Sequence, residues 1–215
     1  MENVIVRYAK GEELESVNNI RKQVNEVHVK GRPDIFREDG WQFIEPFVYT
    51  RFDEETSGII VAAIEDEIVG FAVVQYIERP ESAYNKERKY FHIEEFGVDE
   101  KHRRKGIATA MINFIKEDAK NRGFKRIELD MWEFNDGALA FYESAGLKTY
   151  RRYMESDTDT EEGTEHDVII PGSGGCVSTP GAYNLPFLRF RKKRVKILKQ
   201  SLLNETFCQV DSYFI

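Results

Sequence analysis

The alternation of apolar and polar positions divides residues 1–154 into strands and helices. Short apolar runs predict six strands, at 3–9, 58–66, 67–78, 89–98, 126–132 and 147–154. Apolar residues three and four positions apart predict four helical regions, at 14–27, 37–52 with an interruption at Pro46, 107–119 and 135–146. A tight turn near Asp66 makes the second and third strands a β-hairpin. Strands separated by helices, together with a hairpin, predict an α/β layered fold with a mixed sheet.

The pattern ends at Met154, and the residues that follow differ in composition. Seven acidic residues and no Lys or Arg occur in 155–167, a Gly-, Ser- and Pro-rich stretch follows at 171–181, and 187–199 has seven Lys or Arg and no acid. Such a composition is typical of a linker followed by a basic segment. We therefore expect a folded domain over 1–154 and a C-terminal extension over 155–215. The composition of the extension is typical of a flexible segment, and the sequence does not indicate its role.

The overall charge and the cysteine content exclude several classes of protein. The formal net charge of −7 argues against general nucleic-acid binding, so we interpret the basic segment 187–199 as a solvated tail and expect no nucleic-acid partner. The two cysteines, Cys176 and Cys208, form no metal motif and no disulfide framework. The first residues do not resemble a signal peptide, and the longest apolar run, 59–64, is too short to span a bilayer. We expect a cytoplasmic protein with no membrane partner and no metal, and a homodimer stays open.

The densest positive charge leads directly into the third predicted helix. His102, Arg103, Arg104 and Lys105 precede Gly106, which has no side chain. The first N–H groups of a helix have no partner within it, and together with the helix dipole they attract anions. The pattern indicates a pyrophosphate site, although a solvated basic turn that only caps the helix fits these residues as well. The Gly-Lys-Ser/Thr ending of a P-loop and the three glycines of the dinucleotide fingerprint are both absent.

Two motifs resemble those of the GNAT superfamily of acyl-CoA-dependent N-acyltransferases. The stretch RRKGIA at 103–108 is similar to the family's Arg/Gln-x-x-Gly-x-Gly/Ala signature, with Ala108 where glycine is common. The stretch NDGALAFYESAGL at 135–147 is similar to the family's Asn-x-x-Ala-x-x-Phe-Tyr-x-x-x-Gly-Phe helix, with Leu147 in place of the last Phe. The residues that match the motif are Asn135, Ala138, Phe141, Tyr142 and Gly146. The resemblance covers about residues 1–154.

The resemblance implies a three-layer fold, with helices on both faces of a central mixed sheet that is mostly antiparallel. Two neighbouring parallel strands, 89–98 and 126–132, would splay apart at one end and admit the pantetheine arm of acetyl-CoA. The arm would pair with backbone groups of Phe96 and Val98, and the pyrophosphate would lie on the N–H groups from residue 104 to 109. The implied coenzyme-binding residues are Phe96, Gly97, Val98, Arg103, Arg104, Lys105, Gly106, Ile107, Ala108, Thr109, Asn135 and Tyr142. Asn135 also suits a helix N-cap.

Acyl transfer to an amine needs a neutral amine, a stabilised oxyanion and a proton for the departing thiolate. The resemblance implies that Tyr142 supplies that proton, although with Phe141 it also fits an aromatic pair that packs the helix. Glu95 matches an acidic position that the family has beside the acceptor amine, so it is a candidate catalytic base. Strict alternation puts His92 and Glu94 on the opposite face from Glu95, but the family often has a bulge here. His92, Glu94 and a water chain are therefore alternative bases.

The sequence defines the acceptor side less closely. The segment VHVKGRPDIF at 27–36 resembles one that lines the acceptor in relatives. His28, Asp34 and Glu95 are therefore candidate acceptor contacts, although a lone histidine near a helix end is often structural. Acidic residues favour a cationic amine, and polyamines, aminoglycosides, small amines and peptide amines all stay open. We expect transfer of an acetyl group from acetyl-CoA to a primary amine by direct attack in a ternary complex, and the alternative is a catalytically silent acyl-CoA sensor or partner module.

Overall fold

Five strands form one mixed sheet in the computed structural model, which describes residues 3–158. The strands are β1 Val4–Tyr8, β2 Ser57–Ile64, β3 Glu67–Arg79, β4 Arg88–Val98 and β5 Ile127–Leu129. They lie side by side in chain order. The first four pair antiparallel, and β5 pairs parallel with β4. The predicted α/β fold with a mostly antiparallel mixed sheet is therefore confirmed.

Five α-helices connect the strands and cover both faces of the sheet. They are α1 Leu14–Gly31, α2 Trp41–Ile44, α3 Phe47–Asp53, α4 Ile107–Asn121 and α5 Asp136–Ser144. These bounds confirm the helical regions predicted from apolar spacing, including the interruption at Pro46 between α2 and α3. Two short 3-10 turns, Gly11–Glu13 and Glu100–His102, precede α1 and follow β4. Within residues 3–158, no helix combines the length and the hydrophobicity that crossing a bilayer requires.

The strand predicted at 147–154 is wrong, because the structure has neither helix nor strand over these residues. Leu147, Tyr150 and Tyr153 lie three positions apart, so they would alternate between the two faces of a strand. Tyr150 and Tyr153 are 69% and 72% exposed, and Met154 is 94% exposed. A strand without one continuous apolar face gains little hydrophobic stabilisation from joining the sheet, so the apolar content alone was misleading.

The sheet separates two apolar clusters, which gives the fold its three layers. One cluster lies against α4 and α5 and includes Met111 and Ile115. The other lies against α1 and α3 and includes Val17 and Val48. Because β2 and the middle of β3 are covered on both faces, their sequences are almost continuously apolar instead of alternating. Each fully buried side chain of this size contributes roughly 1.5 to 3 kcal/mol, so the sheet is stabilised from both sides.

The buried face of α1 changes from apolar to polar along the helix. From Arg21 onward the helix buries Arg21, Asn25 and His28, whereas Val24 and Val27, which the apolar spacing places in the core, are only partly buried. These polar residues are spaced by four and three positions, so they occupy one helix face. Buried polar groups require hydrogen-bond partners. Arg21 finds its partner in Glu95 of the sheet.

The parallel strands β4 and β5 separate after a short paired stretch. Their pairing begins at Phe91 and Ile127 and ends at Ile93 and Leu129. β4 then continues to Val98 while it still pairs with β3 on its other edge. The C-terminal half of β4 therefore has an edge that β5 does not cover, which is the splay that the resemblance implies.

We predict that a chain ending at Ser156 unfolds in one cooperative transition with a melting temperature close to that of the full chain. No residue after Leu147 belongs to either apolar cluster of residues 3–158, so this truncation removes no side chain from them. Circular dichroism of both chains during heating measures the transition. A truncated chain that is insoluble, or that melts without cooperativity, would show that the extension supplies part of the fold.

Candidate active site

A bulge in β4 turns two neighbouring carboxylates to the same face of the sheet. Glu95 is opposite Val73 of β3 and Ile93 is opposite Val74, so Glu94 is the extra residue between them. Ile93 packs in the cluster against α4 and α5. Glu94 and Glu95 instead bond to side chains of α3 and α1. Strict alternation, which would put the two carboxylates on opposite faces, therefore does not hold here.

Glu95 forms a closed ion pair with Arg21 of α1. Arg21 Nε donates to Glu95 Oε2 at 2.6 Å and Nη2 donates to Oε1 at 2.8 Å, and both side chains are buried. The guanidinium also donates to Asn18 Oδ1 and to the backbone carbonyls of Ile44 and Glu45. The pair therefore joins β4 to α1 and to the end of α2. Because Arg21 occupies both carboxylate oxygens, Glu95 is poorly placed to accept a proton.

Glu94 is paired differently, with Arg51 of α3. Arg51 Nη2 donates to Glu94 Oε1 at 2.7 Å, whereas Glu94 Oε2 has no hydrogen-bond partner within residues 3–158. Burial raises the pKa of Glu94 to about 7, and the negative charges of Glu95 and Glu54 add to this while Arg51 opposes it. A buried carboxyl group with a pKa of about 7 and one oxygen without a hydrogen-bond partner is chemically suited to accept a proton.

His92 lies on β4 between the two neighbouring strands. It is opposite Gln75 of β3 and Glu128 of β5. Burial lowers the pKa of His92, and the negative charges of Asp130 and Glu128 oppose this shift. The imidazole is therefore mainly neutral at pH 7, and its role as a base stays a prediction. In the described part of the chain, no group of three or more His, Cys, Asp or Glu side chains is arranged to hold a metal ion.

Helix α5 carries two of the expected site residues. The ring of Tyr142 meets Phe96 of β4 edge to face, with centroids 6.2 Å apart, and lies 5.2 Å from the ring of Phe141. Burial raises the pKa of Tyr142 above its ordinary value, so its hydroxyl is protonated at neutral pH, as a proton donor must be. Asn135 Oδ1 accepts from the Ala138 N–H at 3.1 Å and thereby caps α5. The packing and capping roles are present, and the catalytic and coenzyme roles stay predictions.

The turn before α4 has the backbone geometry of an anion site. Gly106 is the N-cap of α4 with φ of 83°, and Arg104 has φ of 63°. Both are left-handed conformations, which only glycine adopts without strain. A Cβ at Gly106 would meet nothing within 4 Å, so the approach to the helix start is open. The Ala110 N–H donates to the Gly106 carbonyl at 3.0 Å, and the N–H groups of the turn before it need partners from outside the helix.

The basic side chains of this turn have different surroundings. Arg103 Nε donates to the carbonyl of Val98 at 3.2 Å, and Arg103 Nη1 lies 3.7 Å from Glu100 Oε1. Arg103 therefore links the turn to the end of β4. Arg104 and Lys105 are exposed. Their positive charges lie next to the start of α4, where they add to the attraction of the helix dipole for anions.

The two expected acceptor contacts outside β4 differ in exposure. His28 is fully buried near the end of α1, where its ring lies 5.3 Å from the ring of Phe36 and 6.3 Å from that of Phe134. Asp34 is exposed, and Arg32 binds its carboxylate at 2.7 Å. His28 is therefore a core residue that would reach an acceptor only after repacking. Asp34 stays a predicted contact.

The sequence pattern did not identify Arg21 and Arg51, which bind the two carboxylates. Arg21 follows Leu14 by seven positions and Arg51 follows Val48 by three, so each lies on the buried face of its helix. An arginine at such a position requires a buried anion. The spacing is visible in the sequence, but the identity of the partner carboxylate is not.

Sequence comparison finds relatives among known acetyltransferases. The sequence model described as the Acetyltransferase (GNAT) family matches residues 22–147. Human N-acetyltransferase 8 is 32% identical over 95 residues, which are 44% of this chain and 40% of that protein. Rat N-acetyltransferase 8B is 27% identical over 100 residues, which are 46% of this chain and 43% of that protein. The chain thus spans about two fifths of the length of these curated relatives.

Structure comparison finds the same fold. A tetramutant of the BH1408 protein from Bacillus halodurans has a TM-score of 0.68 and 30% identity, over 71% of this chain and 99% of that one. Aminoglycoside N-acetyltransferase AAC(6')-Iy in complex with CoA has a TM-score of 0.54 and 14% identity, over 73% and 95% of the two chains, which shows the fold alone. Because the family model covers more than half of the chain and the fold agrees with it, this chain belongs to the GNAT family of acetyltransferases.

Proposed function

We propose that this chain is an acetyl-CoA-dependent N-acetyltransferase that acetylates a primary amine by direct attack within a ternary complex. The observation that carries the proposal is Glu94 on the strand that separates from β5, because its buried Oε2 has no hydrogen-bond partner within residues 3–158. Membership of the GNAT family supports the class of reaction, and similarity to N-acetyltransferases 8 and 8B supports an amine as acceptor.

Coenzyme A would be held at the start of α4 and along the open edge of β4. The N–H groups of residues 107–109 and the positive end of the helix dipole are suited to the pyrophosphate. The open space over Gly106 and the exposed charges of Arg104 and Lys105 support this position. The backbone of residues 96–98, beyond the last pair with β5, would bond the pantetheine arm. When bound, acetyl-CoA supplies the thioester from which the acetyl group is transferred.

Two side chains would move protons during the reaction. Glu94 accepts a proton from the acceptor ammonium through Oε2, directly or through a water, so that the neutral amine can attack. Tyr142 keeps its proton at neutral pH and donates it to the departing thiolate. We assign the base role to Glu94 and not to Glu95, because Arg21 occupies both oxygens of Glu95. Glu95 then acts by holding β4 in place.

The charges around the proposed base favour a cationic acceptor. Glu54, which caps the end of α3, acts on Glu94, and Glu128 and Asp130 act on the neighbouring His92. With Glu94 and Glu95 these are five acids, against four arginines, Arg21, Arg51, Arg79 and Arg88. A protonated amine would be attracted to this small excess of negative charge before it gives up its proton. A screen of polyamines, aminoglycosides, small amines and peptides with acetyl-CoA, read by release of free thiol, tests the acceptor class. Tight coenzyme binding without turnover on any amine would instead support the acyl-CoA sensor.

We predict that Gly106→Glu weakens coenzyme A binding by roughly tenfold or more, because a carboxylate at the helix start repels the phosphates. Gly123→Glu is the matched control. Gly123 lies just past the other end of α4, its φ is 81° against 83° at Gly106, and a Cβ there also meets nothing within 4 Å. Both variants therefore carry the same charge and similar backbone strain. Titration calorimetry compares their affinities, and equal affinities would remove the pyrophosphate from this turn.

We predict that Tyr142→Phe lowers kcat by on the order of 10²-fold and leaves the affinity for coenzyme A nearly unchanged. The phenylalanine ring still packs against Phe96 and Phe141, so only the hydroxyl and its proton are lost. Steady-state kinetics at saturating amine measure kcat, and calorimetry measures the affinity. A variant with wild-type kcat at every pH would make Tyr142 a packing residue.

We predict that Glu94→Gln lowers kcat/KM by on the order of 10²- to 10⁴-fold and removes its rise through pH 7. The base must be ionised, and the pKa of Glu94 is about 7, so wild-type kcat/KM increases as the pH rises through 7 and then levels off. Glu78→Gln is the control, since Glu78 is 59% exposed and pairs with Lys89 away from the bulge. If the Glu94→Gln variant keeps the wild-type profile, the base is His92, Glu95 or water.

A further inference from the structure

The glutamates of two arginine–glutamate pairs are neighbours on β4, and only one of the pairs is closed, with both carboxylate oxygens bonded. Arg21 bonds both oxygens of Glu95 through Nε and Nη2. Arg51 bonds Glu94 through Nη2 and Oε1 alone. Arg51 Nε and Glu94 Oε2, which would form the second bond of the same bidentate geometry, both lack a hydrogen-bond partner within residues 3–158. The second pair is therefore held half open in a buried place.

Other groups on the guanidinium of Arg51 account for this difference. Arg51 Nη1 donates to Glu54 Oε2 at 2.7 Å. With its amide turned to satisfy both groups, Gln75 Oε1 accepts from Arg51 Nη1 at 3.0 Å and from Nη2 at 2.9 Å. The guanidinium also lies 4.9 Å from the ring of Phe47. Arg51 is thus shared among α3, β3 and β4, and Glu54 competes with Glu94 for its charge.

We propose that Arg51 is a positioning residue for the base: it fixes Glu94 through Oε1 and leaves Oε2 to the acceptor amine, and Glu54 prevents the pair from closing. This inference rests on the proposed function of Glu94. A closed pair would bind the carboxylate more strongly and take away the oxygen that accepts the proton. A carboxylate without the arginine would lose both its orientation and the charge that allows it to ionise in a buried site.

The charged groups that act on Glu94 come from α3 with the residue that follows it, and from β4 itself. Arg51 of α3 favours ionisation, and Glu54, which caps the end of α3, disfavours it. The same strand contributes Glu95, which disfavours ionisation and is itself bound by Arg21 of α1. Burial lowers the pKa of His92, so that imidazole adds little charge at pH 7. Strand β3 contributes Gln75, which is uncharged. Arg51 and Glu54 are therefore the two groups whose removal should shift the titration of Glu94 in opposite directions.

The test compares Arg51→Met, Arg51→Lys and Glu54→Gln in the full chain. Arg51→Met is expected to shift the rise of kcat/KM to higher pH by about one unit or more, because the positive charge that favours ionisation of Glu94 is lost. Glu54→Gln is expected to shift this rise to lower pH by about half a unit. It is also expected to lower kcat, because Arg51 Nε can then bond to Glu94 Oε2. Arg51→Lys keeps the charge but lacks the planar, branched donor geometry that orients Glu94, so kcat is expected to fall with little shift of the profile.

A second readout does not need activity. The side-chain carboxyl signal of Glu94 in protein labelled with ¹³C-glutamate, identified by its loss in Glu94→Gln, is followed by NMR against pH. Its midpoint is expected to move in the same two directions in Arg51→Met and Glu54→Gln. Lys89→Met is the control, because Lys89 lies on the same strand and pairs with Glu78 at an exposed site. Coenzyme affinity by calorimetry checks that each variant is folded.

The outcomes separate the inference from the proposed function. Opposite shifts in both the NMR midpoint and the kinetic profile, with neither shift in Lys89→Met, support it. An unchanged NMR midpoint in folded Arg51→Met and Glu54→Gln overturns the positioning role itself. If the NMR midpoints shift but the kinetic profile does not, Glu94 is not the base. The inference then fails because the proposed function fails, although Arg51 and Glu54 do act on Glu94. If Arg51→Met does not fold, Glu54→Gln alone decides by the same two readouts.

Discussion

One extra residue in β4, Glu94, sets the arrangement of the buried charges. Without this bulge, strict alternation along the strand would turn one of the two neighbouring carboxylates toward the cluster against α4 and α5. That cluster includes Phe91, Ile93 and Phe96, and an unpaired carboxylate among them would cost several kcal/mol. The bulge turns both Glu94 and Glu95 toward α1 and α3, where the arginines lie. The course of the strand and the packing of two helices are therefore fixed by the same residue.

Two carboxylates on adjacent residues repel each other, and the protein separates them by unequal pairing. Glu95 receives two charge-assisted bonds from Arg21, whereas Glu94 receives one from an arginine that it shares with Glu54. Neighbouring acids that are bonded so differently can take different chemical roles. A buried ion pair is weak evidence for stability, because desolvation offsets the attraction between the charges. What the closed pair contributes is geometry, since it ties β4 to α1 and to the end of α2.

The sequence predicts the fold well where the signal is local, and fails where it is not. Apolar runs identify β2 and β3 because both faces of these strands are covered. Gly106 identifies the start of α4 because its φ of 83° disfavours a side chain. The segment 147–154 was misleading because its apolar residues lack a strand period. The two arginine–glutamate pairs join residues 74 and 43 positions apart, and their pairing depends on a bulge that periodicity does not count.

Strand β4 connects the two proposed halves of the site. Its last residue, Val98, accepts from Arg103 in the turn that begins α4, and Glu94 lies four positions earlier on the same strand. At about 3.3 Å per residue, the base and the end of the strand are about 13 Å apart. Because β4 pairs with β3 along its length, this distance does not depend on a loop. A substitution that moves β4 would disturb coenzyme and base together, whereas a change at Arg51 in α3 reaches the base alone.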